Sequence, residues 1–205
     1  ERHDLARLCW DGETIAERRP PEQMFDGIRV RPPPGSFLQA TSEGEQALRA
    51  DVREIVTGAR RVADLFAGCG TFALPLSRES EVHAAEGARE MVEALDAGWR
   101  NASGLKAVTA ETRDLFRRPL LAEELSGFDA AVIDPPRAGA EVQIAELGKA
   151  AIPVIAHVSC NPATFARDAA ILADCGYVLE WFRVVDQFLW SAHVELVACF
   201  RMKNS

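Results

Sequence analysis

The chain has 205 residues, of which 48% are hydrophobic and 26% charged, an ordinary composition for one globular domain. No apolar run reaches membrane-spanning length and the first residues are charged, so we expect a cytoplasmic protein without a signal peptide. The five cysteines form no Cys-x-x-Cys pair, which argues against a disulfide framework and a zinc site. A net charge of −8 does not indicate nucleic-acid binding, but a local basic patch would suffice for it.

Residues 1–35 are predicted to form a small β extension that ends in a proline-rich linker. An Asp-Gly pair between two apolar runs is typical of a β-hairpin, here with strands over Leu5–Cys9 and Thr14–Arg18. Gly27–Val30 is a further candidate strand, and three consecutive prolines then fix an extended linker. Because the sequence does not begin with methionine, we expect it to be a piece of a longer protein.

Residues 36–205 alternate between strand-like and helix-like patterns. A capping-box spacing of Ser42 and Glu45 predicts a first helix to about Thr57. The strand-like runs that follow are Arg61–Phe66, Val82–Glu86, Lys106–Ala110, Phe128–Ile133, Ile152–Ser159, Tyr177–Asp186 and His193–Arg201. The helical runs between them are Phe72–Glu79, Ala88–Asn101, Arg118–Leu125, Glu141–Ala150 and Thr164–Ala173. This pattern predicts an α/β fold with a doubly wound, mostly parallel sheet that ends in an antiparallel hairpin.

A glycine-rich turn follows the first strand of this sheet. Gly68-Cys69-Gly70 lies between a buried strand and a helical run, where free backbone N–H groups can meet a ligand. Glu86 ends the next strand about 20 residues after Phe66, where nucleotide-binding folds place a carboxylate for a ribose hydroxyl. Gly-x-Gly alone also occurs in ordinary strand-to-helix turns, so Glu86 is what favours a ligand site.

Other polar side chains follow the remaining strands and should meet at the same edge of the sheet. Asp114 follows the third strand, and Asp134 begins the turn Asp134-Pro135-Pro136-Arg137 after the fourth. The two prolines make this turn stiff, so it could hold Asp134 as an acceptor for an amine or a ring N–H. The alternative is a solvated aspartate in a turn that merely ends the strand.

Cys160 and Glu195 are the candidates for chemistry. A thiolate at the end of a strand could attack an electrophilic ring carbon, whereas most buried cysteines are only small apolar residues. Glu195 lies among apolar residues, where a raised pKa would suit a general base, but strand alternation could equally place it in solvent. His193 would share the face of Glu195 and is a secondary candidate. The sequence shows no metal-ligand constellation.

Four segments of the chain resemble the 5-methyluridine RNA methyltransferases, a family that modifies transfer RNA and 23S ribosomal RNA. These segments are DLFAGCGTFALPL, IDPPRAG, VSCNPATFARD and VDQFLWSAHVELVACF, and the stretch Phe37-Leu38-Gln39-Ala40 also looks like that family. The resemblance runs from about Ser36 to the end of the chain. The order of Asp-Pro-Pro-Arg and Ser-Cys-Asn-Pro is specific to the family, whereas the glycine turn is common to methyltransferases.

The resemblance implies a Rossmann-like class I methyltransferase domain over residues 36–205, with S-adenosylmethionine as cofactor and rRNA or tRNA as substrate. From the resemblance we expect no DNA substrate and no membrane partner. Cys160 would be the nucleophile and Glu195 the base. The residues implied to line the cofactor site are Gln39, Phe66, Thr71, Glu86, Asp114 and Asp134. The RNA-binding barrel and iron–sulfur cysteines that this family often carries ahead of the domain are not in the sequence, so residues 1–31 look like a remnant of the connecting region.

Three other functions stay open at the level of the sequence. The Asp-Pro-Pro turn is similar to that of enzymes that methylate exocyclic amines of guanine or adenine, although Arg137 stands where they have an aromatic residue. The domain could instead bind S-adenosylmethionine or RNA without turnover, or act on a small molecule.

Overall fold

The computed structural model describes residues 4–11, 13–188, 190–191 and 193–203. The strands are β1 (Arg7–Trp10), β2 (Glu13–Glu17), β3 (Gln23–Phe25), β4 (Ile28–Val30), β5 (Arg61–Leu65), β6 (Glu81–Glu86), β7 (Val108–Thr112), β8 (Ala130–Ile133), β9 (Val154–Ser159), β10 (Tyr177–Val185) and β11 (Glu195–Met202). The helices are α1 (Ser42–Ile55), α2 (Ala73–Leu76), α3 (Arg89–Arg100), α4 (Glu141–Ala150) and α5 (Pro162–Asp174).

A seven-stranded sheet organises the chain, in the order β10-β11-β9-β8-β5-β6-β7. The pairs among β5, β6, β7, β8 and β9 are parallel, and β11 is inserted antiparallel between β9 and β10. The prediction of a doubly wound sheet that ends in an antiparallel hairpin is therefore confirmed. From β5 the chain adds β6 and β7 on one side and then β8 and β9 on the other, so the strand order reverses between the parallel neighbours β5 and β8. Sheets of this type open a crevice for ligands at such a point.

Two hydrophobic layers cover the two faces of the sheet. One contains Leu48 and Val52 of α1 with Leu95 of α3, and the other contains Ile144 of α4 with Leu172 of α5. Alternate residues of a strand point to opposite faces, so adjacent residues of β5 enter different layers. Both faces of the sheet are consequently covered by helices, so a ligand pocket can form only at the ends of the strands.

The N-terminal strands form two hairpins that pair only with themselves. The predicted first hairpin is present as β1 and β2, although Gly12 of its turn lies outside the described residues. The pair β3–β4 packs Phe25, Ile28 and Val30 into the core layer beside α1 and α3. The division of the chain near residue 35 stays a prediction.

Three local predictions were wrong. The cap of α1 is Thr41, whose hydroxyl accepts the N–H of Gly44, and not Ser42. The helix after the glycine turn has only four residues, so it contributes little helix dipole to the turn. The run Arg118–Leu125 forms turns instead of a helix, because side chains from other segments form hydrogen bonds with its backbone. Arg113 donates to the carbonyl of Pro119, and Gln143 bonds both the N–H and the carbonyl of Leu120.

In the described part of the chain, none of the helices has both the length and the apolar character required to cross a bilayer.

His157 of β9 is fully buried between Phe165 and Phe200, and among the described residues neither ring nitrogen has a hydrogen-bond partner. Burial lowers the pKa of His157 to about 4, against a smaller raising effect of Asp168, whose carboxylate lies 3.9 Å away. In the unfolded chain His157 therefore takes up a proton near pH 6.5, whereas in the folded chain it stays neutral until the pH falls to about 4.

The free energy of unfolding should consequently fall as the pH drops through this window. We expect this single histidine to remove about 2 kcal/mol of stability between pH 7.5 and pH 5. Urea denaturation at both pH values measures the loss, and a His157→Leu variant should lack that part of it. Parallel pH profiles for the two proteins would contradict this account.

Candidate active site

One pocket of about 480 Å³ opens at the carboxyl ends of the central strands. All eight residues that the sequence nominates line it: Gln39, Phe66, Thr71, Glu86, Asp114, Asp134, Cys160 and Glu195. Residues separated by more than 150 positions meet here because parallel strands end at one edge of the sheet. The volume falls in the usual range for sites that hold a small molecule.

The glycine turn forms one wall of the pocket. Gly68 and Gly70 have φ of +55° and +94°, in the left-handed region that favours glycine. A Cβ atom on Gly70 would lie 2.8 Å from Cγ of Leu74, whereas one on Gly68 would meet nothing within 4 Å. Gly70 is therefore required for packing, and Gly68 leaves open space on the side where a ligand can approach the backbone.

Glu86 connects this turn to the next strand. One carboxylate oxygen accepts the N–H of Gly68 at 3.0 Å, and the other accepts the N–H of Ala88 at 2.8 Å. Each carboxylate oxygen can accept more than one hydrogen bond. Glu86 can therefore hold the turn in shape and still accept hydroxyl groups from a ligand.

Asp114 and Phe116 line the pocket next to Glu86 and Phe66. Oδ1 of Asp114 accepts the N–H groups of Phe116 and Arg117, which fixes the direction of the loop after β7. The half-exposed ring of Phe116 then lies against Phe66, with ring centroids 5.3 Å apart. Phe116 was not among the predicted residues, although its place two positions after Asp114 could have indicated it.

Cys160 directly follows β9 and is half-buried in the pocket wall. The next residue, Asn161, caps α5 by accepting the N–H of Ala163, while its amide donates to the carbonyl of Arg137 at 3.0 Å. Asp168 of α5 accepts the N–H of Ala140 at the other end of the same loop. The cysteine and the Asp134–Arg137 turn are thereby held in one rigid assembly.

Glu195 is buried, with 3% of its surface exposed. The pairing of Leu196 with Ser159 brings the next residue outward on each strand, Glu195 and Cys160, to the same end of the sheet. Because β11 is an interior strand, the alternative of a solvent-facing Glu195 was wrong. Burial raises the pKa of Glu195 to about 7, a value suited to a base at neutral pH.

Asp134 completes a group of acidic side chains with Glu195. Burial and the nearby Glu195 raise the pKa of Asp134 to about 7. Burial and the same two carboxylates also raise the pKa of the Cys160 thiol, whereas Arg137 lowers it. Beneath them, Asp64 of β5 is fully buried, and burial together with Asp134 raises its pKa well above the usual value. The sequence analysis did not single out Asp64.

Two further side chains lie at or near the rim of the pocket: His193, the secondary candidate from the sequence, and Phe37. His193 contacts Arg137, with 3.4 Å between Nδ1 and Nη2, so it reaches the rim of the pocket through that side chain. Phe37 projects at the rim and is 67% exposed. Among the described residues, no three His, Cys, Asp or Glu side chains are grouped to hold a metal ion.

The strand order and this pocket define a Rossmann-like methyltransferase domain. The solved structure of M. jannaschii TYW2 in complex with AdoMet has this fold, with a TM-score of 0.62 at 19% identity over 97% of this chain and 94% of that one. The sequence model of the tRNA (uracil-5-)-methyltransferase family matches residues 27–202. The chain belongs to that family.

Relatives of known name support the assignment. The chain is 35% identical to the 23S rRNA (uracil(1939)-C(5))-methyltransferase RlmD of Shewanella halifaxensis, over 99% of this chain and 48% of that protein. It is 55% identical to an uncharacterized RNA methyltransferase of Rhizobium meliloti, over 95% of this chain and 47% of that protein. The chain thus spans about half the length of the curated relatives it matches.

A solved structure within the same family is also similar. It is the Pyrococcus abyssi tRNA (uracil-54, C5)-methyltransferase in complex with S-adenosyl-L-homocysteine, with a TM-score of 0.77 and 29% identity. The match covers 90% of this chain and 45% of that chain.

Proposed function

We propose that this chain is the catalytic domain of an enzyme that transfers a methyl group from S-adenosylmethionine to C5 of a uridine in rRNA or tRNA. The observation that carries the proposal is the convergence of Cys160, Glu195 and Asp134 in the same pocket as the glycine turn and Glu86. A thiol, a base and a nucleotide-binding wall in one crevice are what a covalent uracil methylation requires. Family membership supports the same reaction.

The pocket fits the proposed cofactor. Open space beside Gly68 admits a ligand next to the backbone, and Glu86 retains acceptor capacity for the two ribose hydroxyls. Phe66 and Phe116 offer apolar ring surfaces beside Asp114, which suits a purine base with an exocyclic amine. When bound, S-adenosylmethionine supplies an electrophilic methyl group to C5 of the uracil ring.

Cys160 prepares C5 for this transfer. C5 of uracil is a poor nucleophile until the thiolate of Cys160 forms a bond to C6, which moves the electron pair of the 5,6 double bond into an enolate. Burial and the nearby carboxylates raise the pKa of the thiol, so its proton must pass to a base. Asp134, with a pKa of about 7, can accept that proton, which leaves Glu195 ionised for the later step. The residues of the pocket would hold the uracil ring close to the bound cofactor, and such positioning supplies part of the rate.

Glu195 completes the reaction. Its carboxylate removes the proton from C5 after methylation, the electron pair restores the 5,6 double bond, and the bond from C6 to Cys160 breaks to release the thiolate. Asp134 lies near Glu195, and an oxygen of its carboxyl group can accept a hydrogen bond from the N3–H of the uracil ring in either protonation state.

The target uridine must leave its stack to reach Cys160. The exposed ring of Phe37 at the rim offers a surface on which the extruded base or its neighbour can stack. RNA is also the partner that the names of the relatives indicate.

Methylation of an exocyclic amine is the alternative enzyme function. That reaction needs neither a cysteine nor a buried base beside it, and Arg137 rather than an aromatic side chain follows the two prolines at the pocket. A module that only binds the cofactor or RNA would likewise have no use for Cys160 and Glu195 in contact with the same cavity.

Product analysis tests the proposed function. The protein is incubated with methyl-labelled S-adenosylmethionine and unmodified 23S rRNA or tRNA transcripts, and the RNA is digested to nucleosides. We expect the label in 5-methyluridine. Label in an N-methylated purine would establish the alternative reaction, and cofactor binding without any labelled nucleoside would favour a binding module. Calorimetry should show weaker cofactor binding for Glu86→Ala than for the exposed control Glu93→Ala.

A further inference from the structure

The orientation of the Gln187 carboxamide is fixed by a backbone group. Gln187 lies in the connection between β10 and β11 and is buried, with 8% of its surface exposed. The backbone N–H of Thr41 points at its side chain, 3.2 Å away. A backbone N–H can only donate, so the atom that faces it must be Oε1 of Gln187. The amide nitrogen of Gln187 is therefore on the other side.

The orientation of the Gln187 carboxamide in turn fixes the orientation of the Gln39 carboxamide. Nε2 of Gln187 lies 2.9 Å from the side-chain oxygen of Gln39 and donates to it. With its oxygen engaged, Gln39 keeps its NH₂ group at the opposite corner of the carboxamide, and Gln39 lines the pocket. A chain of two hydrogen bonds thus makes Gln39 a donor to whatever ligand lies beside it.

Packing keeps Gln187 in this position. Its side chain crosses the first turn of α1 at Gly44, where an added Cβ atom would lie 2.4 Å from Cδ and Cγ of Gln187. Gly44 lies in a helix and has no unusual backbone angle. The close contact with Gln187 therefore explains why this position has a glycine, which has no side chain. The stretch that contains Gln39 also contacts the glycine turn, with 3.7 Å between Ser36 Oγ and Cys69 Sγ.

We infer that Gln187 is a positioning residue that fixes Gln39 as a hydrogen-bond donor to the carboxylate of S-adenosylmethionine. The inference rests on the proposed function, since it deepens the assignment of the cofactor pocket. Among the groups of that cofactor, the carboxylate is the strongest acceptor, and the carboxylates of Glu86 and Asp114 would repel it, whereas the NH₂ group of Gln39 can donate to it. A donor with its orientation fixed in advance loses little entropy on binding.

A Gln187→Glu substitution tests the inference, because it keeps the shape and reverses one hydrogen bond. A carboxylate still accepts the N–H of Thr41 but can no longer donate to Gln39. Gln39 must then turn its NH₂ group towards position 187 and present its oxygen to the cofactor. We expect the affinity for S-adenosylmethionine, measured by calorimetry without RNA, to fall about 10- to 100-fold.

The control separates this effect from the added negative charge. In a Gln39→Ala background the same Gln187→Glu change should alter the affinity less than about twofold, because the residue acts through Gln39. Decarboxylated S-adenosylmethionine should bind equally well to the wild type and to Gln187→Glu. An equal loss in both backgrounds, or with both ligands, would overturn the inference, as would no loss at all.

A second variant changes the packing instead of the charge. Gly44→Ala should displace Gln187 and weaken cofactor binding, although an alanine ordinarily favours a helix by up to about 1 kcal/mol over glycine. Gln46→Ala, on the exposed side of α1, is the matched control. Unchanged cofactor affinity in a folded Gly44→Ala protein would count against the inference. Failure of the wild type to bind the cofactor would instead count against the proposed function.

Discussion

Replacement of Cys160 by alanine is expected to abolish methyl transfer while leaving the fold and cofactor binding intact. The side chain is half-buried in the pocket wall at the end of β9, and the polar contacts that hold its loop come from Asn161 and Asp168. Without a thiolate, C5 of uracil has no route to a nucleophilic form. We therefore expect the rate to fall by on the order of 10⁴-fold or more.

Methyl transfer to RNA and cofactor affinity should be measured together for this variant. Cys9→Ala is the matched control, because Cys9 is exposed in β1 and is not part of the pocket lining. Substantial methylation by Cys160→Ala would exclude the nucleophile role. A loss of both cofactor binding and folding would show that the cysteine is needed for structure instead.

Replacement of Glu195 by glutamine is expected to give a long-lived covalent adduct between RNA and protein. Glutamine has the same shape but cannot remove the C5 proton, so Cys160 can attack and the methyl group can arrive while the elimination stalls. We expect turnover to fall about 10²- to 10⁴-fold. A denaturing gel of the variant with ordinary RNA and S-adenosylmethionine should show a shifted protein band.

The control for this variant is Glu180→Gln, which changes an exposed glutamate of β10 that bonds Arg201. It should turn over normally and show no band. Fast product release from Glu195→Gln would remove Glu195 from the mechanism. A slow reaction without an adduct would place Glu195 before the attack of the cysteine, as the base that accepts the thiol proton.

The sequence was sufficient to predict the sheet and the side chains at its edge. Alternating apolar strands and helical runs specify a doubly wound fold, and that fold brings the ends of distant strands together. Asp134 and Cys160 could be found in this way because each directly follows a buried strand. The resemblance to the 5-methyluridine methyltransferases added Gln39, Thr71 and roles for each residue, and those roles stay predictions.

The remaining features depend on tertiary contacts that no local pattern encodes. Gln187 is one polar residue in a connection, and only the fold brings it 2.9 Å from Gln39. The run Arg118–Leu125 has helical composition, but Arg113 and Gln143 take its backbone groups. Burial of Glu195 could not be predicted, because periodicity alone does not reveal that β11 is inserted between two strands.

A trapping experiment with 5-fluorouridine RNA tests the central claim most directly. Fluorine at C5 cannot be removed as a proton, so the bond between Cys160 and C6 should persist once the methyl group has been transferred. The account predicts a shifted protein band on a denaturing gel that requires S-adenosylmethionine and is lost in Cys160→Ala. If that RNA is bound and the cofactor is present but no band forms, or if the band persists in Cys160→Ala, the account is contradicted.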